Sequence, residues 1–197
     1  MSLATVGVLY PVFSPLDTHT EGSMPTYGTG VVLNELREVT VTKSFNDNPL
    51  EGDNHIVDED NGLTGLSYSV ENTGLSNADR VKLFGEEAYG TTGQWESDNE
   101  TPYGGFGHIE KMRADSGTIT YEAYICLKIK FQQDEQTART KEGNQITWGV
   151  PRITGNAAAL DVDGTGKLRY RLHASFSTAN AAKSFINTML NVSATTT

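Results

Sequence analysis

Residues 39–70 read VTVTKSFNDNPLEGDNHIVDEDNGLTGLSYSV, and this stretch decides the fold class. At both of its ends, apolar and small polar side chains alternate with a period of two, which places one set on each face of a β-sheet. Residues 39–45 and 63–70 are therefore predicted to be half-buried strands. Their polar faces carry short hydroxyl side chains: Thr40, Thr42, Ser44, Ser67 and Ser69.

The connection between these strands, residues 46–62, is strongly acidic. It contains no Lys or Arg and six carboxylates: Asp47, Glu51, Asp53, Asp58, Glu59 and Asp60. A connection of this length without secondary structure is uncommon in a compact domain and usually has a function or is disordered. Two interpretations stay open: a solvated flexible loop, or an arm that becomes ordered against a partner. We favour the second.

The composition indicates one mainly β domain. The chain has 197 residues, of which 37% are apolar and 20% charged, and its 20 glycines separate short alternating runs,. Its single cysteine, Cys126, excludes an internal disulfide framework,. No apolar stretch approaches the ~18 residues of a membrane span, and Pro11 and Pro15 interrupt the run that a signal peptide would need,. We expect a soluble protein that folds in a cytoplasm.

Charge is unevenly distributed along the chain, whose formal net charge is -10. Residues 1–45 carry -2, residues 46–110 carry -12 from fourteen acids and two bases, and residues 111–197 carry +4 from seven acids and eleven bases. Nucleic-acid binding draws its affinity from Lys and Arg, so a net-acidic chain is poorly suited to gripping DNA. The opposite charges of the middle and the C-terminal third can attract each other between copies of the protein.

Two helices and an N-terminal arm are predicted outside the central stretch. Ser76 and Asp79 form a capping box that starts a short helix, and Gly85 ends it. Thr178 caps a final amphipathic helix. Residues 1–27 contain three prolines and few periodic apolar positions. They are expected to form an extended arm, either frayed or docked on a neighbour.

The strongest strand signal lies in residues 119–131, where apolar and polar side chains alternate over thirteen residues without a miss. A strand of more than twice the usual length either bends around a core or extends into a shared sheet. Another strand is predicted from Ile146 to Val150. Residues 161–166 resemble the start of a calcium loop, but the twelfth position is Leu172 where the motif needs an acid, so a glycine-rich turn is predicted,.

The sequence contains no recognisable motif of catalytic or metal-binding residues. The four histidines are far apart and form no H-x-x-x-H pair,. Cys126 lies in mid-strand, where a nucleophile is poorly exposed. We therefore expect no enzyme, no catalytic residue, no metal site and no cofactor.

Several segments, in their order, resemble the major tail proteins of long-tailed bacteriophages that infect Gram-positive bacteria. They are YGTGVV at 27–32, SFNDNPLEGDNHIVDEDN at 44–61, YEAYICLKIKF at 121–131 and ITWGVPRITG at 146–155. The resemblance implies a tail-tube β-sandwich over residues 28–192, flanked by a short helix, with a long acidic inter-strand loop, a C-terminal helix and a loose end at 193–197. It also implies a structural virion protein without catalytic residues.

The resemblance further implies the assembly and its partners. Subunits form hexameric rings that stack head to tail into a tube, made in the host cytoplasm, through which DNA passes without specific binding and without a membrane. Further partners would be the tape measure, terminator and distal tail proteins. In this interpretation the hydroxyl faces named above line the lumen, and the six carboxylates named above contact the next ring. Their candidate basic partners are Lys128, Lys130, Arg139 and Lys141.

The alternative function is a monomeric β-sandwich binding module for carbohydrate or a cell surface. Such a module needs exposed aromatic side chains. The only clustered candidates are Trp95, Tyr103 and Phe106.

Overall fold

A computed structural model describes residues 3–33, 35–46, 48–52, 55–60, 62–98, 100–135 and 150–193. Over these residues it contains fifteen strands and two helices. The elements are β1 (Leu3–Thr18), β2 (Thr26–Tyr27), β3 (Val31–Val32), β4 (Leu36–Phe45), β5 (Asn48–Gly52), β6 (His55–Asp60), β7 (Leu63–Asn72), α1 (Asn77–Phe84), β8 (Glu87–Tyr89), β9 (Gly93–Trp95), β10 (Gly104–Ala114), β11 (Ile119–Glu135), β12 (Arg152–Ala157), β13 (Leu160–Asp161), β14 (Leu168–Arg169), β15 (Arg171–Phe176) and α2 (Ala179–Met189).

Nine of the strands form one antiparallel sheet, which confirms the predicted mainly β class. The main path runs β2-β1-β10-β11-β12-β7-β4, with β15 paired to β11 and β3 paired to β1. β4 returns to contact β1, so the sheet curls. Three small hairpins, β5–β6, β8–β9 and β13–β14, are paired separately from this sheet.

Two hydrophobic cores lie on opposite faces of the sheet. The first core packs α2, through Ile186, against Val12 and Ile125. The second packs α1, through Leu83, against a cluster that contains Phe13. Val12 and Phe13 are both fully buried. Because they are consecutive residues of one strand, their side chains point to opposite faces.

A β-bulge in β11 divides its residues between the two cores. Cys126 pairs with Phe106 and Ile129 pairs with Gly104, so two residues of β11 lie opposite the single Gly105,. Leu127 therefore belongs to the first core and Ile129 to the second. The alternation of apolar and polar residues continues through the bulge, but the bulge reverses which side of the sheet the apolar residues face.

A second bulge, in β1, directs a side chain toward α2. Leu9 pairs with Ile109 and Val12 with Gly107, which leaves Tyr10 and Pro11 opposite one residue. Tyr10 has a left-handed backbone with φ of 59°, a conformation that costs about 1–3 kcal/mol. Its hydroxyl donates to Asn187 Oδ1 of α2 at 2.8 Å. This contact with the helix helps to hold the strained residue in place.

Both helices begin where the sequence predicted. The Ser76 hydroxyl accepts from the Asp79 backbone N–H at 3.2 Å, and the Asp79 carboxylate accepts from the Ser76 backbone N–H at 2.8 Å. Gly85 ends α1 with a left-handed φ of 73°,. Thr178 caps α2 by accepting from the Ala181 N–H at 3.3 Å. The capping box and both helix starts are thus confirmed.

Three other predictions need correction or lie partly outside the described residues. The N-terminal segment is extended, but its residues 3–15 pair with β10 inside the main sheet, because Val12 and Phe13 supply buried apolar area to both cores. The acidic connection is not a long loop, because it folds back on itself as the β5–β6 hairpin.

In the strand predicted from Ile146, residues 146–149 lie outside the described part, and Val150 is not in a strand.

Glycine allows close packing where α2 crosses β10. A Cβ on Gly105 would lie 2.5 Å from Leu190 Cδ2, and a Cβ on Gly107 would lie 2.8 Å from Ile186 Cγ2. Real Cβ atoms do not approach this closely, so a larger residue at either position would force Leu190 or Ile186 to move,. The glycine pair thereby makes room for these two side chains against the strand.

Gly155 of β12 provides a test of this close packing in the second core. A Cβ there would lie 2.6 Å from the Lys130 carbonyl oxygen and 2.8 Å from Phe131 Cδ1. We expect Gly155→Ala to lower the free energy of unfolding by about 1–3 kcal/mol, measured by urea denaturation. Gly7→Ala is the matched control in β1, because nothing lies within 4 Å of its added Cβ. Equal stability of both variants would show that this region repacks without cost.

Candidate functional site

The five hydroxyl residues predicted from the sequence lie together on one face of β4 and β7. Thr40 pairs with Ser69, Thr42 pairs with Ser67, and Ser44 pairs with Gly65. The threonines and Ser44 are exposed, and the two serines of β7 are half-buried. The intervening residues of β7, Leu66, Tyr68 and Val70, are buried in the second core. One face of this part of the sheet is therefore apolar and covered, and the other is hydroxyl-rich.

This polar face continues across β12 onto β11. Thr154 pairs with both Ser69 and Gln132, and Asn156 pairs with both Ser67 and Lys130. Two four-residue rows result: Thr40, Ser69, Thr154 and Gln132 in one, and Thr42, Ser67, Asn156 and Lys130 in the other. The Ser67 hydroxyl donates to Asn156 Oδ1 at 2.8 Å, which ties two strands together on this face. The sequence predicted the β4 and β7 part but missed the β12 and β11 part.

Two cations on this face are engaged in ion pairs. Arg152 lies 2.5 Å from Glu71, its neighbour in register. Lys130 lies 2.5 Å from Glu100, and this hydrogen bond lowers the pKa of the Glu100 carboxyl. This face thus combines small neutral hydrogen-bonding side chains with a lysine and an arginine that are each paired with a glutamate. We call this set of residues on β4, β7, β12 and β11 the hydroxyl face.

The candidate inter-ring acids fall on the separate β5–β6 hairpin and its flanks. Asp58 pairs with Leu50, Glu59 with Pro49, and Asp60 with Asn48, and Glu51 pairs with Ile56. Asp47 and Asp53 lie outside the described residues. The hairpin extends the β4–β7 pair, because Phe45 and Leu63 pair immediately before and after it. The acidic segment therefore forms a two-stranded hairpin that continues from one end of β4 and β7.

The predicted basic partners are partly used within the subunit. Lys128 Nζ lies 4.5 Å and Lys130 Nζ lies 4.4 Å from the centre of the Tyr103 ring. Cations at this distance are attracted to the negative face of an aromatic ring. Arg139 and Lys141 lie outside the described residues.

The aromatic residues considered for carbohydrate binding are not equivalent in the fold. Phe106 is fully buried, so it cannot contribute to an exposed platform. Tyr103 is 37% exposed but has two lysines over its ring. Trp95 is exposed, and its ring contacts Tyr89 instead of either of the other two.

A buried polar cluster, missed by the sequence analysis, lies at the end of the second core. His108 is fully buried and stacks between Phe106 and Tyr124, with ring centres 5.7 and 5.4 Å away. Its Nε2 lies 3.6 Å from Glu110 Oε1, beyond hydrogen-bond length, and Arg171 lies 4.5 Å over the Tyr124 ring. Only the pairing of β10, β11 and β15 brings these residues together.

Burial governs the ionisation of this cluster. It lowers the pKa of His108, and the opposing influence of Glu110 is smaller. Contact with His108 lowers the pKa of Glu110. Burial raises the pKa of the Cys126 thiol to about 12, so the thiol is protonated at neutral pH and is a poor nucleophile,.

The remaining polar motifs have local structural roles. The Asp161 carboxylate accepts backbone N–H groups from Gly164 and Gly166, each at 2.8 Å, as the predicted glycine-rich turn requires. No group of three or more His, Cys, Asp or Glu side chains suited to a metal ion occurs among the residues whose placement is described. Within the same residues, neither helix has the length and apolar character needed to cross a membrane.

Comparisons with known proteins assign no family. No protein-family model matches the chain, and no curated protein matches it. It is similar to a chain in the "Cryo-EM structure of the anti-feeding prophage (AFP) baseplate, 6-fold symmetrised", with a TM-score of 0.31 and 14% identity. That alignment covers 89% of this chain and 97% of the other. We draw no functional conclusion from a likeness at this TM-score.

The buried His108 makes stability depend on pH. An unfolded histidine takes up a proton near pH 6.5, whereas burial keeps folded His108 neutral to a lower pH. The unfolded state then binds more protons, so the free energy of unfolding falls as the pH drops below ~6.5, by up to about 1.4 kcal/mol per pH unit from this group.

Urea denaturation between about pH 5.5 and 7.5 measures this effect, because the carboxyl groups of unfolded chains titrate lower, near pH 4. We expect His108→Phe, which keeps a ring between Phe106 and Tyr124, to lose most of this pH dependence. The same slope in the variant and the unaltered protein would contradict the assignment to His108.

Proposed function

We propose that this protein is a major tail-tube subunit of a long-tailed bacteriophage, which forms stacked hexameric rings around the channel for DNA. The observation that carries the proposal is the hydroxyl face, a polar surface four strands wide whose lysine and arginine are ion-paired. The segments that resemble major tail proteins, including residues 44–61 and 121–131, support the same assignment.

The hydroxyl face has the properties that a DNA channel needs. DNA carries about one negative charge per 1.7 Å of helix axis and is retained by unpaired Lys and Arg side chains. A surface of Thr, Ser, Asn and Gln with neutralised cations offers neither an electrostatic anchor nor an apolar patch. In the proposed ring this face lines the lumen, and the edge strand β4 lies where a neighbouring subunit can extend the sheet.

The β5–β6 hairpin is the proposed contact between rings. Its position beyond the end of β4 and β7 lets it reach past the subunit along the tube axis. A contact between two different surfaces of the same subunit does not close on itself, and so it propagates as a filament. The segment 111–197, which carries an excess of positive charge, is the proposed source of the surface that the acidic hairpin contacts.

Negative-stain microscopy and size-exclusion chromatography of the purified protein at rising concentration test the assembly. We expect rings or tubes with sixfold views. A lasting monomer with glycan affinity would instead favour a carbohydrate or cell-surface binding module. The burial of Phe106 removes one of the aromatic side chains on which that alternative depends.

Adding positive charge to the hydroxyl face should impede DNA. We expect the double variant Thr42→Lys and Ser69→Lys to form normal tubes but to slow or block DNA ejection from particles, because unpaired lysines bind phosphate. Ser116→Lys is the control, because it adds charge to the exposed turn between β10 and β11. Normal ejection from the double variant would exclude this face from the lumen.

Reversing the charge of the hairpin should slow stacking. We expect Asp58→Lys, Glu59→Lys and Asp60→Lys together to reduce the rate of tube growth, followed by light scattering. Each exposed ion pair contributes only about 0–1 kcal/mol, so we expect slower growth and not a complete block. Because salt screens exposed charges, the effect should weaken at high ionic strength. The control carries the same change in net charge at Asp17, Glu21 and Glu35, which are exposed elsewhere. Growth that is indifferent to both the reversal and salt would exclude a charge-guided contact.

A further inference from the structure

Two glutamates lie side by side on the main sheet, on the side opposite α2. Glu110 of β10 and Glu122 of β11 are partners in the strand register, so their side chains leave the same face with Cβ atoms about 5 Å apart. The adjacent Ile109 and Ala123 pack in the first core with α2, so by alternation the glutamates point the other way. Like charges directly opposite each other destabilise a sheet. A cation bound to this glutamate pair, Glu110 and Glu122, would offset that cost.

The glutamate pair has no ion-pair partner in the described part of the chain. No Lys or Arg nitrogen of the described residues lies within 4.0 Å of either carboxylate. Arg171 lies on the same face, because its register partner Cys126 belongs to the second core, but its guanidinium is held 4.5 Å from the centre of the Tyr124 ring. The two negative charges therefore have no opposite charge of these residues in contact with them.

A buried histidine without a hydrogen bond points at the same pair. His108 is fully buried, and neither of its ring nitrogens has a hydrogen-bond partner among the residues that the structure describes. Its Nε2 faces Glu110 Oε1 across 3.6 Å, and Glu110 Oε2 accepts a long bond of 3.4 Å from Thr5 Oγ1. Buried polar groups are nearly always paired, and charge-assisted bonds to a carboxylate are usually about 2.7–2.9 Å long. A donor placed between Nε2 and Oε1 would satisfy both groups.

A lysine ammonium group has the chemistry that this site lacks. It carries one positive charge and three N–H donors, one for each glutamate and one for the lone pair of His108, which burial keeps neutral by lowering its pKa. The described His, Cys, Asp and Glu side chains form no group of three placed to share a metal ion, which favours an ammonium over a metal. The Glu110 side chain is 23% exposed, so a long side chain can reach the site from solvent.

Lys43 is suitably placed to supply this ammonium from a neighbouring copy. It is exposed on β4, which among the described strands pairs with β7 alone. Its register partner Leu66 belongs to the second core, so Lys43 and the glutamate pair lie on the same side of the sheet,. Lys43 forms no ion pair with any described residue. It is therefore complementary to the site in charge and in facing.

We propose that the glutamate pair, together with His108, binds the Lys43 ammonium of a second copy of this chain. This inference rests on the proposed function, in which the edge strand β4 of each subunit faces a neighbour. Glu122 lies one strand in from β15, whose Ser175 is its register partner, so a lysine arriving beside β15 has one small residue to cross. The contact adds a lateral link on the side of the sheet opposite the hydroxyl face.

A zero-length crosslinker identifies the occupant directly. A water-soluble carbodiimide joins a carboxylate to an amine in contact with it as an amide, and the carbodiimide takes up the water and leaves as a urea. Isotope-labelled and unlabelled protein are mixed, assembled and treated, and the crosslinked peptides are sequenced by mass spectrometry. We expect an amide between Lys43 and Glu110 or Glu122 that joins a labelled to an unlabelled chain. Its absence, or coupling of the glutamate pair to a different lysine or only within one chain, would overturn the proposal.

Exchanging the charges measures the contribution of the contact. We expect Lys43→Glu to raise the critical concentration for assembly roughly threefold to tenfold, because attraction becomes repulsion. Glu122→Lys should act in the same direction, and the two changes together should restore most of the affinity. Lys167→Glu is the control, because it makes the same change at an exposed lysine elsewhere. Equal effects of Lys43→Glu and Lys167→Glu, or no rescue in the double variant, would overturn the proposal.

Glu122→Gln separates binding from folding. It keeps the shape of the side chain and removes the repulsion from Glu110, so we expect the free subunit to be at least as stable in urea denaturation. The critical concentration should nevertheless rise, because one of the two charges that hold the ammonium is lost. Lower stability with an unchanged critical concentration would assign Glu122 a structural role and contradict the binding site.

The two proposals fail in different ways. Tubes that form with an unchanged critical concentration in Lys43→Glu would refute the lysine site and leave the tail-tube assignment intact. An amide between Lys43 and the glutamate pair of a second copy, in a sample that forms dimers but neither rings nor tubes, would refute the tail-tube assignment and support the site.

Discussion

Strands β1, β10 and β11 serve two hydrophobic cores at once, and the rest of the fold depends on this constraint. A strand whose apolar and polar residues alternate strictly, without a bulge, places all its apolar side chains on one side of the sheet. The bulges at Tyr10–Pro11 and at Leu127–Lys128 reverse the facing of the strands midway. One half of β11 can then support α2 while the other half supports the core beneath α1.

This division decides which surface of the sheet is left open. α2 covers the sheet where β1, β10 and the first half of β11 meet, with Gly105 and Gly107 permitting its close approach. Beyond the bulge, the same side of the sheet continues onto β12, β7 and β4, and neither of the two helices in the described part of the chain packs over it. The hydroxyl face occupies this uncovered side. The hydroxyl face is four strands wide because α2 covers only β1, β10 and the first half of β11.

Local neutralisation of charge characterises the molecule despite its net charge of -10. Arg80, Lys130 and Arg152 are each held by a carboxylate, and Arg80 and Lys130 also lie near an aromatic ring. Exposed pairs of this kind contribute little to stability. Each pair leaves one fewer unpaired cation on the surface of the subunit.

The sequence by itself determined the features that depend on residues a few positions apart: the capping box at Ser76, the left-handed stop at Gly85, the cap at Thr178, the turn at Asp161 and the hydroxyl pattern of β4 and β7. Only the tertiary structure decided the two bulges, the β5–β6 hairpin, the extension of the hydroxyl face onto β12 and β11, and the buried His108 cluster. A bulge is defined by the register of a partner strand, and burial by a neighbour distant in the chain. Alternation gives the period of a strand but does not show which core each half will face.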